Sequence, residues 1–164
     1  TLFFLDAINA AEERLWIASP YFVPDEQLIS ALQLAALRGV DVRILIPQNA
    51  DQQLVYLSSF SYLEEAENAG IKIYRYQPGF LHQKVMLIDD RIAAVGTANL
   101  DNRSMRLNFE ITMLFIDETF ASKVEAMLKK DFTKSRLVSA KEYTDRSLMF
   151  RLSVRVSRLM APLQ

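Results

Sequence analysis

The side chains most able to do chemistry lie between residues 82 and 99. His82 and Lys84 are two residues apart at the start of an apolar run, so on a strand both leave the same face and can meet one ligand. Thr97 and Asn99, also two apart, follow a second apolar run and offer a hydroxyl and an amide. These groups together predict a phosphate site.

The expected chemistry of this site needs no metal and no cofactor. A neutral imidazole can attack phosphorus or move protons, while an ammonium and an amide hold nonbridging oxygens as their charge grows in the transition state. The chain contains one His and no Cys. A thiolate nucleophile, a disulfide framework and a multi-histidine metal site are therefore excluded.

A longer pattern distinguishes this segment from an ordinary surface pair of histidine and lysine. His82, Lys84, Asp89, Gly96 and Asn99 fit H-x-K-x4-D-x6-G-x2-N, and five fixed positions over eighteen residues rarely agree by chance. The pattern resembles the signature of the phospholipase D superfamily. In that family two such motifs face each other, from two halves of one chain or from two subunits.

The resemblance implies a division of labour between two histidines. One forms a phosphohistidine intermediate and the other protonates the leaving alcohol, without a metal. Because this chain has a single histidine, we expect it to supply half of an active site and to pair with a second half, either an absent N-terminal half or a second copy. The start at Thr1 favours a piece of a longer chain.

Roles carry over from the family to individual positions. His82 would be the nucleophile or the general acid, with the acid favoured because the family usually assigns the nucleophile to the first motif. Lys84 and Asn99 would clamp the phosphate, and Thr97 stands where the family has a Ser or Thr hydroxyl. Asp89 belongs to the catalytic motif but is expected off the phosphate, where it supports the local fold.

Glu110 is the last expected catalytic residue. It follows Asn99 by eleven positions and matches a family carboxylate that orients the histidine ring. A carboxylate that accepts from one ring nitrogen fixes the tautomer and frees the other nitrogen to react. An exposed glutamate at the start of a strand is the structural alternative.

The stretch GTANLDNRSMRLNFE, residues 96–110, is more specific than the motif itself. It is similar to the second catalytic motif of bacterial cardiolipin synthases, and PYFVP at 20–24 is similar to the loop that opens their second half. The resemblance implies a phosphatidyltransferase that joins two phosphatidylglycerol molecules and releases glycerol. It also implies association with the bacterial cytoplasmic (inner) membrane.

Several residues outside the motif have two interpretations. Arg103, expected to bind substrate, and Arg106 could hold a second phosphate or a glycerol headgroup, or could pair with Asp101 or Asp90. Three aromatic residues could line an acyl or headgroup channel or belong to the core: Tyr21, Phe22 and Phe80.

Other members of the superfamily remain alternatives. These are a phospholipase that uses water, a phosphatidylserine synthase, a nuclease, and a non-catalytic half that only binds lipid. The net charge of −1, with three basic and ten acidic side chains in residues 1–70, argues against the cationic groove that a nuclease needs. We therefore expect phospholipid and no nucleic acid as the partner.

The elements that position these residues predict an α/β fold. Strands alternate with helices over the first 76 residues, which favours a mixed, mostly parallel sheet flanked by helices on both faces, in one phospholipase D-like domain spanning 1–164. A tight hairpin and a long loop at 97–109 follow. The predicted strands are 15–19, 40–46, 71–76, 84–88, 92–95 and 111–116, and the predicted helices are 2–13, 26–38, 51–69 and 119–133.

The C-terminal segment, 140–164, is predicted to form a basic amphipathic helix. Its apolar side chains could lie on an anionic membrane or pack against the partner half. No apolar stretch of this chain is long enough for a transmembrane segment. The apolar stripe is Leu148, Leu152, Val156 and Leu159, and the basic stripe is Arg151, Arg155 and Arg158.

Overall fold

A seven-stranded sheet separates two layers of helices in the computed structural model, which describes residues 1–161. In chain order the elements are α1 (Leu2–Asn9), β1 (Arg14–Ala18), β2 (Phe22–Val23), α2 (Glu26–Leu37), β3 (Asp41–Pro47), α3 (Gln53–Phe60), α4 (Leu63–Asn68), β4 (Lys72–Tyr76), β5 (Val85–Ile88), β6 (Ile92–Gly96), β7 (Leu100–Asp101), α5 (Asn102–Arg106), β8 (Thr112–Ile116), α6 (Glu118–Thr133), β9 (Ser135–Leu137), α7 (Lys141–Thr144) and α8 (Leu148–Leu159).

The strand order of the large sheet is β8-β6-β5-β1-β3-β4-β9. Strands β1, β3 and β4 are parallel, as the alternation of strands and helices predicts. The other four neighbouring pairs in the described sheet are antiparallel, so the expectation of a mixed sheet is confirmed and that of a mostly parallel one is wrong. The reason is that β5 and β6 form a hairpin on which β8 adds antiparallel to β6, while β5 and β9 join β1 and β4 in the antiparallel sense at either side of the parallel strands.

Side chains that alternate along β1 bury both faces of the sheet. Leu15 and Ile17 join the core beneath α1 and α2, while Trp16 and Ala18 face α6. This two-sided burial explains why the strands read as continuous apolar runs. The prediction of helices on both faces is confirmed.

Side-chain caps set the starts of several helices. Asp25 accepts a hydrogen bond from the Leu28 amide at the start of α2. In the same way, the side chains of Asp117 and Ser147 accept from the amide three residues later at the starts of α6 and α8. Such caps satisfy amide groups that the helix itself leaves unpaired. Gly39 ends α2 with a φ of +96°, which glycine adopts without steric cost.

The predicted helix over 51–69 is interrupted. It begins only at Gln53 and splits into α3 and α4 around Ser61. The hydroxyls of Ser59 and Ser61 each donate to a carbonyl three residues earlier, at 2.7 Å, which competes with the regular helical ladder. The late start leaves Asp51 in the loop that follows β3.

The C-terminal segment forms two helices, α7 and α8. Val154 is buried, and Phe150 packs edge-on against Phe60 of α3 with 5.2 Å between ring centroids. The prediction for 140–164 extends over residues 162–164, which lie outside the described residues. Within residues 1–161, no helix has the length and apolarity needed to cross a bilayer.

Candidate active site

His82 and Lys84 lie on the segment that joins β4 to β5. Leu81 is buried in the core beneath α6, and Gln83 Nε2 donates to Asp131 Oδ2 of α6 at 3.0 Å. Because Leu81 and Gln83 face α6, His82 and Lys84 leave the opposite side together, as their spacing predicts. Val85 pairs with Ala18, so the site lies where β1 ends.

His82 and Lys84 contact each other directly. The Nε2 atom of the exposed His82 ring is 3.1 Å from Lys84 Nζ, and the ring of Phe80 stacks on the imidazole at 5.6 Å between centroids. An ammonium has no lone pair, so in this contact Nε2 is the acceptor and the ring proton lies on Nδ1. A phosphate that takes the Lys84 hydrogen bond would free Nε2 for chemistry.

The environment of Lys84 makes an anionic ligand favourable. Burial lowers the pKa of the Lys84 ammonium, and the carboxylates of Glu110, Asp101 and Asp51 offset only part of this effect. The charged form therefore lacks part of the stabilisation that water provides. A phosphate oxygen at this position would restore that stabilisation.

Thr97 and Glu110 join the ends of β6 and β8. The Thr97 hydroxyl donates to Glu110 Oε2, and the Ile111 amide donates to Thr97 Oγ1 at 3.0 Å. The Thr97 amide in turn donates to the Ile111 carbonyl at 2.9 Å. The hydroxyl that was expected to contact phosphate is thus committed to Glu110.

Glu110 does not contact the histidine ring, so the expectation that it orients His82 is wrong for this structure. Its carboxylate accepts from Ser104 Oγ at 2.9 Å and Asn108 Nδ2 at 3.1 Å as well as from Thr97. Burial raises the pKa of Glu110, but these hydrogen bonds and the charge of Lys84 outweigh it and hold the pKa below its ordinary value. Three donors already occupy the carboxylate.

Asn99 is held at the start of β7. Its amide N–H donates to Ser104 Oγ at 3.0 Å, and β7 pairs in parallel with β2. The side-chain oxygen of Asn99 is buried without a hydrogen-bond partner among the described residues. An unsatisfied buried oxygen costs free energy, so this amide is available to a ligand that brings a donor.

Comparison with known proteins decides the family. Residues 4–132 match the family described as "Cardiolipin synthase, PLD-like domain". The chain belongs to this phospholipase D-like family. It is 54% identical over 162 residues to cardiolipin synthase A of Pseudomonas entomophila, and 54% identical over 163 residues to that of Pseudomonas putida. These alignments cover 99% of the chain and 34% of each relative, so the chain spans about a third of their length.

Solved structures share the fold of this phospholipase D-like domain. A phosphatidylserine synthase of Haemophilus influenzae superposes with a TM-score of 0.78 at 17% identity, over 98% of this chain and 44% of that one. Nuc of Salmonella typhimurium, a phospholipase D family member, gives a TM-score of 0.74 at 21% identity, over 84% and 90% of the two chains. At these identities the likeness concerns the fold.

Asp89 lies away from this cluster, as expected of a residue that supports the local fold. It follows β5 at the end opposite Lys84, about 16 Å away at the rise of a strand. Its carboxylate accepts from the backbone amides of Glu13 at 2.8 Å and Arg14 at 2.9 Å. The phospholipase D-like motif therefore uses its aspartate to fix the chain that enters β1.

Arg103 and Arg106, the two arginines that follow the phospholipase D-like motif, differ in their contacts. The exposed side chain of Arg103 forms no hydrogen bond or ion pair within residues 1–161, while Arg106 Nη2 pairs with Asp25 Oδ2 at 3.0 Å. The predicted alternative pairing with Asp101 or Asp90 is wrong. Asp101 caps α5, and Asp90 pairs with Arg14.

The three aromatic residues have three different environments. Phe22 belongs to the core, Phe80 stacks on His82, and the Tyr21 hydroxyl donates to Asp51. Sequence reasoning missed Asp51 because the predicted helix over 51–69 placed it at a helix end.

Gly96 supports a prediction about how the site is built. A Cβ at this position would overlap the Ile111 carbonyl oxygen and lie 2.9 Å from the Thr112 Cα, so Gly96→Ala forces β6 and β8 apart. We expect it to lower the free energy of unfolding by about 1–3 kcal/mol, measured in urea. We also expect faster hydrogen exchange at the Thr97 amide.

Gly70→Ala is the matched control for this prediction. A Cβ there meets nothing within 4 Å, although the φ of +89° makes alanine unfavourable. It should therefore destabilise the domain through the backbone alone. Hydrogen exchange at the Thr97 amide should then change only as much as the free energy of unfolding of the whole domain does. Equal exchange at Thr97 in both variants would contradict the proposed role of Gly96.

Proposed function

We propose that this chain supplies one half of the active site of a phosphatidyltransferase that makes cardiolipin from two phosphatidylglycerol molecules. The observation that carries the proposal is the 3.1 Å contact between His82 Nε2 and Lys84 Nζ at the end of β1. It occurs in a domain that is 54% identical to cardiolipin synthase A sequences. The Lys84 ammonium and the Nδ2 group of Asn99 would donate to the phosphate and hold it in front of the histidine.

The reaction proceeds in two displacements at phosphorus. In the first, a histidine nitrogen attacks the phosphodiester, the bond to the headgroup oxygen breaks, and the departing glycerol takes a proton from the second histidine. In the second, a hydroxyl of another phosphatidylglycerol gives its proton back to that histidine and attacks phosphorus. The P–N bond breaks, and both histidines return to their starting forms.

We assign the proton-transfer role to His82 and the nucleophilic role to the histidine of the second half. This follows the usual order of the two motifs in the phospholipase D-like family. In this role the His82 imidazolium gives a ring proton to the leaving oxygen, while Lys84 donates to the phosphate and no longer to Nε2. The assignment changes no residue of the site.

A second phospholipase D-like half is the partner that we propose. In the described sheet β8 is an edge strand paired with β6 alone, and it lies next to Glu110 and Thr97. Exposed apolar side chains lie on this strand and just before it, and such a surface beside an incomplete active site fits a protein interface. They are Phe109, Ile111, Met113, Leu114 and Ile116.

A second contact that we propose is with the anionic surface of the bacterial cytoplasmic (inner) membrane. On α8, Leu148 is 81% and Leu159 80% exposed, while Val154 on the opposite side is buried. Arg151 and Arg155 flank this apolar side, and Arg155 has no ion pair within residues 1–161. An apolar row bordered by arginines suits a surface of phosphatidylglycerol.

The membrane contact predicts the behaviour of a double variant. Leu148→Ser with Leu152→Ser should reduce co-sedimentation with phosphatidylglycerol vesicles at least about tenfold, because two leucines no longer enter the lipid. Both positions are exposed, so the fold should be retained. Leu37→Ser is the control, since Leu37 is 74% exposed on α2. Equal binding by both proteins, or equal binding to phosphatidylcholine, would refute the contact.

The proposed function is tested by its products. A full-length protein carrying this chain is incubated with phosphatidylglycerol labelled in the acyl chains and in the glycerol headgroup. Cardiolipin and free glycerol should appear in equal amounts and persist in the presence of EDTA. Phosphatidate as the main product would indicate a hydrolase, and cleavage of DNA would indicate a nuclease; either result would overturn the proposal.

A further inference from the structure

A tyrosine and an aspartate form a pair that the reaction described so far does not use. The Tyr21 hydroxyl donates to Asp51, with 2.9 Å to each carboxylate oxygen. Tyr21 is half-buried in the loop before β2, and Asp51 is exposed in the loop after β3. The pair therefore joins two loops at the same edge of the sheet.

Strand register places this pair beside the phosphate clamp. Phe22 is the partner of Leu100 in the parallel β2–β7 pair, so Tyr21 and Asn99 are the residues that directly precede two paired strand residues. The Ser19 hydroxyl fixes this arrangement by accepting from the Leu100 amide at 3.1 Å and donating to the Tyr21 carbonyl at 2.7 Å.

The charge of Asp51 is also felt at Lys84. Its carboxylate is one of three that counteract the burial of the Lys84 ammonium, together with Glu110 and Asp101. Of these three, Glu110 is occupied by three donors and Asp101 caps α5. Asp51 is the exposed residue of the three, and its one described side-chain partner is the Tyr21 hydroxyl.

The pair presents hydrogen-bond acceptors. Burial and the neighbouring Asp51 raise the pKa of Tyr21 to about 12, so the phenol keeps its proton and directs it to the carboxylate. The outer lone pairs of the phenol oxygen and the carboxylate are then free to accept. A carboxylate repels phosphate, and Lys84 repels a cation, so a neutral ligand with hydroxyl groups suits this position.

We propose that Asp51 and Tyr21 bind the hydroxyl groups of an acceptor glycerol headgroup whose attacking oxygen lies at Lys84 and Asn99. This inference rests on the proposed function and deepens it, since it names the residues that select a polyol over water. A bound hydroxyl that donates to a carboxylate is held in a fixed position. That positioning lowers the cost of bringing the alcohol to phosphorus.

Two variants test the inference in a full-length protein carrying this chain. For Asp51→Asn and for Tyr21→Phe, we expect the KM for glycerol as acceptor of a labelled phosphatidyl group to rise about tenfold. The first variant removes the charged acceptor of the glycerol hydroxyl, and the second removes the phenol hydroxyl that holds this carboxylate in place. Transfer to ethanol and to water, which lack a second hydroxyl at this reach, should be unchanged. Asp6→Asn on the exposed side of α1 is the matched control.

The outcomes separate the inference from the function on which it rests. If the unmodified protein forms no cardiolipin, the proposed function fails. If it does, but Asp51→Asn matches Asp6→Asn with glycerol, the hydroxyl site is refuted while the function stands. Equal losses with glycerol, ethanol and water would indicate a structural role, and a selective loss of transfer to ethanolamine would indicate a cation site; both would overturn the inference.

Discussion

Replacing His82 with alanine is expected to reduce cardiolipin formation by a factor of at least about 10³, because this chain has no other imidazole to move the proton. The side chain is exposed, and within residues 1–161 its hydrogen-bond contact is Lys84 and its ring contact is Phe80. The free energy of unfolding should therefore change by less than about 0.5 kcal/mol. Activity is measured with labelled phosphatidylglycerol, and folding by urea titration.

The same variant can tell the two histidine roles apart. If His82 is the proton donor, a phosphodiester with a nitrophenol leaving group needs no protonation, so His82→Ala should release nitrophenol at close to the unmodified rate in the first turnover. If His82 is the nucleophile, that release is lost as well. Unchanged cardiolipin formation by the variant would remove the proposed site altogether.

The parts of the site that sequence predicts are those set by local geometry. His82 and Lys84 leave one side of the chain because residues two apart on an extended segment do so. Asp89 could likewise be placed at the far end of its strand by counting residues. These relations depend on the backbone within one segment, and the structure retains them.

Relations between segments were harder to predict. Glu110 was expected at the histidine ring, but Thr97, Ser104 and Asn108 occupy its carboxylate. Whether these three side chains reach the Glu110 carboxylate depends on how β6, α5 and β8 pack together. The sequence predicted a loop where α5 lies. The Tyr21–Asp51 pair joins residues thirty positions apart and required the true start of α3.

The sheet shows the same limit. Alternating strands and helices correctly predict the parallel strands β1, β3 and β4. The sequence pattern of the β5–β6 hairpin, however, does not specify which edge of these parallel strands the hairpin joins. β5 pairs with β1 in the antiparallel sense and so brings Lys84 to the end of β1. The short strands β2 and β7 lack a periodic signal, although they position Asn99 beside Tyr21.

Lys84 carries the second large prediction, in both rate and pH dependence. Lys84→Ala should lower kcat by about 10²–10³, because an ammonium aimed at the phosphate oxygens acts mainly on the transition state. Lys84→Arg should retain more activity, since it preserves the positive charge. The exposed Lys123→Ala on α6 is the control for loss of a lysine.

The pH profile distinguishes this electrostatic role from a structural one. Burial lowers the pKa of Lys84, and the reaction needs the charged form, so kcat should fall as pH rises through a value below the ordinary 10.5 of lysine. In Lys84→Arg that alkaline limb should move upward, because a guanidinium stays charged. A limb at the same pH in both proteins would mean that another group titrates, and the phosphate clamp would then need a different cation.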